Sequence, residues 1–398
     1  MAAKGDMFQL PLGEDTVADE LEEDSFSTEE QACDDEPYSP EYQIDEREVN
    51  TNPADPDIET ILKRIDAKNL ILRPDFQRAS VWTDAQKSRL IESLLLNLPI
   101  PPCFLAEDED GTRVVVDGQQ RLRSIDDFRH GRFKLSGLQV LKDLNGKEWG
   151  TLPPKLDRKI LQRVIRTLVI SHYSNPAIRF EIFERLNSGG VPLTEQEIRN
   201  ATLRGSFNAM LEKLATSPQF LGAIGLKKPD PRLRHHELIL RFFAVRANCE
   251  NYKPPLKMIL SEFMRMHRHD DPKSIDSFIE LFTKSQANVS EVFGSYLFRR
   301  YRMKDGTASF ETSISKAVFE LQMVSLSFLD HATVASHANS MRDSFKEISL
   351  NNKDFADALS RATDHRSRFY QRLRIWDAEL AKLGLKSELT GILAAVKD

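Results

Sequence analysis

Between Arg113 and Leu122 the pattern Arg-Val-Val-Val-Asp-Gly-Gln-Gln-Arg-Leu changes period across one glycine. Three successive β-branched valines favour a strand, and Gly118 interrupts it. From Gln119 onward the apolar residues fall at Leu122, Ile125 and Phe128, the spacing of one helix face. A strand that hands over to a helix within two residues belongs to a mixed α/β unit. It also puts Gly118-Gln-Gln-Arg121 on a helix's first turn, where backbone N–H groups lack intrahelical acceptors and carry about half a positive charge. That is a chemical environment suited to phosphate.

The flanking sequence extends the unit in both directions. Asp57–Ile65 has apolar residues at 58, 61, 62 and 65 and predicts a short helix. Leu70-Ile-Leu-Arg73 is a short extended run stopped by Pro74, and Thr83-Asp-Ala-Gln86 is a capping box ahead of Leu90, Ile91, Leu94 and Leu95. Pro99, Pro101 and Pro102 end that helix and force an extended entry into Cys103–Ala106, which Asp108-Glu-Asp-Gly111 turns back as a hairpin. Arg166–Ser171 reads as another strand, Pro176–Leu186 as a helix, Asn187-Ser-Gly-Gly190 as a turn, and Thr194-Glu-Gln-Glu197 as a second capping box. Beyond residue 205 strand signals fade. The segments His235–Val245, Ser274–Phe293, Phe310–Leu329 and Arg366–Leu383 read as helices. The expected fold class is therefore α+β, with a mixed domain over residues 55–205 and an all-α domain over 206–398.

The 398 residues carry a net charge of -6, but the charge is unevenly spread. Residues 1–48 hold 17 Asp/Glu against Lys4 and Arg47, or -15, leaving +9 for residues 49–398. The body is mildly basic, as in a polyanion-binding protein, and so acidic and apolar-poor a tail is expected to be disordered. No run approaches the ~18 apolar residues of a membrane helix, and the amino terminus lacks the features of a signal peptide, so the expected location is cytoplasmic, without a membrane partner. Cys33, Cys103 and Cys249 are too few and too far apart for a disulfide framework or a zinc site.

Three constellations carry candidate chemistry. In the first, Gly118 lets a ligand approach the backbone, Arg121 offers a planar fork of donors for phosphate oxygens, and Gln119 and Gln120 can donate or orient a water. The alternative is an ordinary turn with Arg121 in a structural ion pair. In the second, Gln77 and Arg78 converge on the same anion while Phe76 and Trp82 either stack on a base or simply fill the core. In the third, Glu184 and Asn187 supply oxygen ligands for Mg²⁺ beside Arg185 and the Gly189-Gly190 turn, or else form a helix corner with Glu197 used as a cap. His267-Arg-His269-Asp270 lacks the remaining ligands of a metal site and reads as solvated surface, and His235-His236 as structural residues heading a helix.

Four ordered motifs, Phe76-Gln-Arg78 with Val81-Trp82, Ser93–Pro102, Val115–Leu122 and Phe183–Gly190, together resemble the domain at the N-terminus of GmrSD-type, modification-dependent restriction endonucleases. That family is similar in turn to the ParB/sulfiredoxin fold, in which a glycine-led basic motif between strand and helix holds nucleotide phosphates. The resemblance implies nucleoside triphosphate binding and hydrolysis with Mg²⁺, in phage defence or restriction, with DNA as partner. Arg121, Arg78, Gln77, Gly118, Gln119 and Arg185 would hold phosphates. Asp117, Gln120 and Glu184 would be the catalytic set, with Asn187 joining Glu184 on the metal. Gln119-Gln120 stand where ParB proteins carry Glu and Arg, and no His-based nuclease motif is recognised after residue 205, which implies that the nuclease is lost or supplied by a separate nuclease or defence subunit. The rival functions are a non-catalytic DNA-binding module and a nuclease with an unrecognised site.

Overall fold

The N-termini of the first two helices are set by side chains that stand where the sequence puts them. Asp57 accepts from the Thr60 N–H at 2.8 Å and starts α1, Ile58–Asp66; Thr83 and Gln86 close a reciprocal capping box on α2, Asp84–Leu96. The computed structural model describes residues 50–72, 82–171, 182 and 194–396. The tail 1–48, the Phe76–Val81 element with Gln77 and Arg78, the 176–186 helix apart from Ile182, and the stretch with Glu184, Arg185 and Asn187 lie outside the described residues.

Five strands form one mixed sheet: β1 Thr51–Ala54, β2 Leu70–Ile71, β3 Cys103–Glu107, β4 Arg113–Asp117 and β5 Thr167–Ile170, in the order β1-β5-β3-β4-β2. β3 runs antiparallel to β4 and parallel to β5, and β2 runs parallel to β4. The end of β4 therefore meets the start of β3 at one end of the sheet, while β5 finishes at the other, where β2 pairs with the first two residues of β4. Strand alternation divides the faces. Val115 joins Ile58, Ile91, Leu122, Ile125, Phe128, Trp149 and Ile160 in the main core, beneath α1, α2, α3 (Gln119–Arg129) and α4 (Pro154–Leu161). Val116 faces the other way, packing with Ala106, Ile170, Ile198, Phe104 and Ile182. Trp82 is half-buried against the main core, so its ring is used there.

A second, larger core from Phe207 to Val396 is built from helices. Arg234–Ala247, Pro272–Phe293 and Arg366–Lys382 fall close to where the periodicity predicts them. The expected helix Phe310–Leu329 is shorter: it runs Lys316–Ser327 behind a Ser315 cap, and Phe310 belongs to a hairpin of β6, Tyr301–Lys304, and β7, Thr307–Phe310. The cause is local, since Asp305 and Gly306 both adopt positive φ, the backbone of a two-residue hairpin turn. Inside this core Glu320 accepts from Arg241 at 2.9 Å and from Arg372 at 2.7 Å, with all three buried.

Arg268 ties the two parts together. Its guanidinium contacts both carboxylate oxygens of Asp108 in the β3–β4 turn and donates to the Arg204 carbonyl at 2.7 Å. Gly205 makes that approach possible, because a Cβ there would sit 2.0 Å from the Arg268 carbonyl oxygen. His267 departs from the solvated-surface expectation: it is held among Phe207, Phe263 and Phe278 and bonded to Asp270 at 2.7 Å, whereas His269 is exposed. His235 and His236 are buried.

Candidate functional site at the start of α3

Gly118 takes φ +91°, a left-handed conformation that turns the chain from β4 into α3. A Cβ at this position would lie 2.5 Å from the Cys103 sulfur, so the first turn of the helix rests directly on the first residue of β3. α1, α2 and the helix Glu195–Thr202 have side-chain caps, whereas Gly118 brings none to α3 and Pro153 none to α4. Gly118 itself thus gives the start of α3 no side-chain cap, at the sheet end where β4 stops and β3 begins.

Arg121 closes over this turn. One terminal nitrogen donates to Asp117 at 2.8 Å, and the other reaches the carbonyls of Pro101, in close contact, and Pro102, at 3.3 Å. Its side chain is 14% exposed and that of Asp117 42%, so the carboxylate is the more open partner. Gln119 is buried and Gln120 half-buried, and the Gln120 Oε1 accepts from the Trp82 N–H at 3.4 Å. That bond brings the residue following the Phe76–Val81 element to the turn. Burial pushes the Cys103 thiol up to about 11, with Asp117 adding to the effect and Arg121 opposing it. Such a thiol stays protonated and acts as packing.

The structure therefore brings together Asp117, Gly118, Gln119, Gln120 and Arg121. The other predicted residues, Gln77, Arg78, Glu184, Arg185 and Asn187, lie outside the described residues. β5 ends at the opposite end of the sheet from Gly118, and Ile182 packs with Val116 and Ile198 on the second face. Glu197 bonds the Thr194 N–H at 2.7 Å as the reciprocal half of its capping box and lies 3.6 Å from Arg232. Sequence reasoning missed the Pro101 and Pro102 carbonyls and the Cys103 sulfur, which approach the motif across the sheet. It also missed Asp66, Asp126 and His130, whose potential ligand atoms lie within 4.8 Å of one another. Asp126 is eight residues beyond Gly118, roughly 12 Å along the helix axis, and its Oδ2 accepts from Arg132 at 2.9 Å. That group is separate from the α3 start.

The protein is thus a mixed-sheet α+β fold in which a glycine turn passes β4 directly into α3. Residues 58–204 match the family model described as GmrSD restriction endonuclease, N-terminal domain. Comparison with curated proteins found no match. Among the described residues no helix is long and apolar enough to cross a membrane.

Proposed function

We propose that this protein binds and hydrolyses a nucleoside triphosphate with Mg²⁺ and acts with DNA, as a cytoplasmic regulatory component of restriction or phage defence. The observation that carries the reading is the start of α3: amides that receive no side-chain cap from Gly118, an arginine fork and an open carboxylate at one sheet end, within the residues that match the GmrSD N-terminal domain model. In this reading the Gln119–Arg121 amides receive phosphate oxygens and the Asp117 carboxylate faces the metal, which offsets its repulsion of the phosphates. Gln120 orients water, and Arg121 supports the developing charge from its Asp117 and Pro101 anchors. Gln77, Arg78 and Arg185 add phosphate contacts, while Glu184 and Asn187 complete the metal shell.

The test is a panel of nucleoside triphosphates with and without DNA, on wild type and Arg121→Ala. Loss of a charge-assisted hydrogen bond of ~1.5–3 kcal/mol weakens binding roughly ten- to a hundredfold. The melting midpoint is measured alongside, because Arg121 also braces Pro101 and Pro102. Equal affinity in a folded variant removes Arg121 from the phosphate site. Binding without turnover in wild type favours the non-catalytic reading.

A further inference from the structure

The net charge of the body is concentrated in one place. Residues 129–163 contain nine Lys/Arg (Arg129, Arg132, Lys134, Lys142, Lys147, Lys155, Arg158, Lys159 and Arg163) against Asp143, Glu148 and Asp157. That is +6 in 35 residues, out of +9 for residues 49–398. The segment covers the main core, to which it contributes Phe133, Leu135, Leu138, Leu144, Trp149, Leu152 and Ile160. The cations are what the remaining surface presents.

Ion pairing does not consume them. Arg132 is bound by Asp126 and Asp127, and Arg163 by the Leu94 carbonyl and Asn97. Lys134, Lys142, Lys147, Lys155, Arg158 and Lys159 are exposed and have no salt-bridge partner among the described residues. Backbone geometry groups them. The Leu135 N–H donates to the Lys147 carbonyl at 2.8 Å, which sets Lys134 and Lys147 on neighbouring strands of chain. Arg129 lies over the Trp149 ring at 5.0 Å, and α4 begins five residues after that tryptophan. On α4 the residues 155, 158 and 159 share the face opposite buried Ile160. A flexible ammonium left in solvent contributes little to stability, so a solvated face explains each lysine singly but not this bias of nine to three.

We infer that residues 129–159 form a landing surface for the phosphate backbone of duplex DNA, distinct from the α3 start. Charge complementarity selects the occupant. A duplex presents one negative charge per ~1.7 Å of axis, and an array of unpaired lysines gains affinity by releasing the counterions condensed on it. The surface contributes sequence-independent affinity and orientation; it reads no bases. This inference rests on the proposed role of DNA as partner and locates where DNA is held.

The test titrates full-length wild type and a Lys147→Glu, Lys155→Glu, Lys159→Glu triple variant with a fluorescent duplex at several salt concentrations. The expected result is at least a tenfold loss of affinity at low salt, with the slope of log affinity against log salt shallower by about 3, one per cation removed. Nucleotide binding at the α3 start and the melting midpoint stay at wild-type values, because all three side chains are exposed. Wild-type-like DNA binding by the variant overturns the landing surface and leaves DNA as partner standing. No DNA binding by wild type overturns both.

Discussion

Gly118→Ala is expected to lower folding stability by about 2–5 kcal/mol. Two physical costs add. A non-glycine residue held in the left-handed region costs roughly 1–2 kcal/mol, and an extra methyl forced into a packed contact costs typically 1–3. The second cost is specific here, since the new Cβ would fall 2.5 Å from the Cys103 Sγ and 3.0 Å from its Cβ. Cys103 is fully buried at the start of β3 and has little room to retreat. Urea titration of Gly118→Ala, Cys103→Ala and the double variant separates the terms. The double variant should be less destabilised than the sum of the singles, because removing the sulfur removes the clash but leaves the φ strain. A Gly118→Ala protein within 0.5 kcal/mol of wild type would show that the turn does not rest on β3 as the geometry requires.

The second large effect is acid sensitivity in the helical part. His235 and His236 are buried at the start of the helix Arg234–Ala247, and neither His235 nitrogen nor the His236 Nδ1 has a hydrogen-bond partner among the described residues. Burial, with Arg234 adding to it and Asp230 opposing, lowers His235 to about 4. Burial and the neighbouring His235, against Asp230, lower His236 to about 3. The native state thus binds fewer protons than the unfolded chain wherever an unfolded histidine, with an ordinary value of 6.5, is protonated. Stability contributed by the neutral pair is fully present above that value. It falls as pH drops from 6.5 toward 4 for His235 and toward 3 for His236. At pH 5 the loss is of order 2 kcal/mol per imidazole. This window lies above the usual carboxylate range, so urea midpoints at pH 7.5 and 5 isolate it. A His235→Asn, His236→Asn variant should show a much flatter pH dependence whatever its absolute stability. An unchanged slope between those pH values would exclude the pair as its source.

How much of this was legible depended on how local each cause is. The capping boxes at Thr83 and Thr194, the Asp108–Gly111 turn and the break at Gly118 are short-range chemistry, and the structure has each of them where the residues put it. β1 was not legible, because Thr51-Asn-Pro-Ala54 has neither alternation nor β-branched density. It exists by pairing with β5 at the sheet edge, where Pro53 does no harm. The β6–β7 hairpin did have a signal in Asp305-Gly306, overlooked beside the apolar run that follows. At the site, Asp117 and Arg121 stand four residues apart, a spacing that announces an ion pair across the first turn. That pair coexists with the proposed phosphate role and does not decide it. The Cys103 contact and the Pro101 and Pro102 carbonyls depend on β3 lying antiparallel to β4, which only the assembled sheet reveals.

The start of α3 as a phosphate site is tested most directly by the backbone amide resonances of Gln119, Gln120 and Arg121 in isotope-labelled protein. Titration with a Mg²⁺-bound nucleoside triphosphate should shift all three, and the corresponding nucleoside without phosphates should leave them in place. Nucleotide binding that shifts amides elsewhere while these three stay fixed would contradict the account.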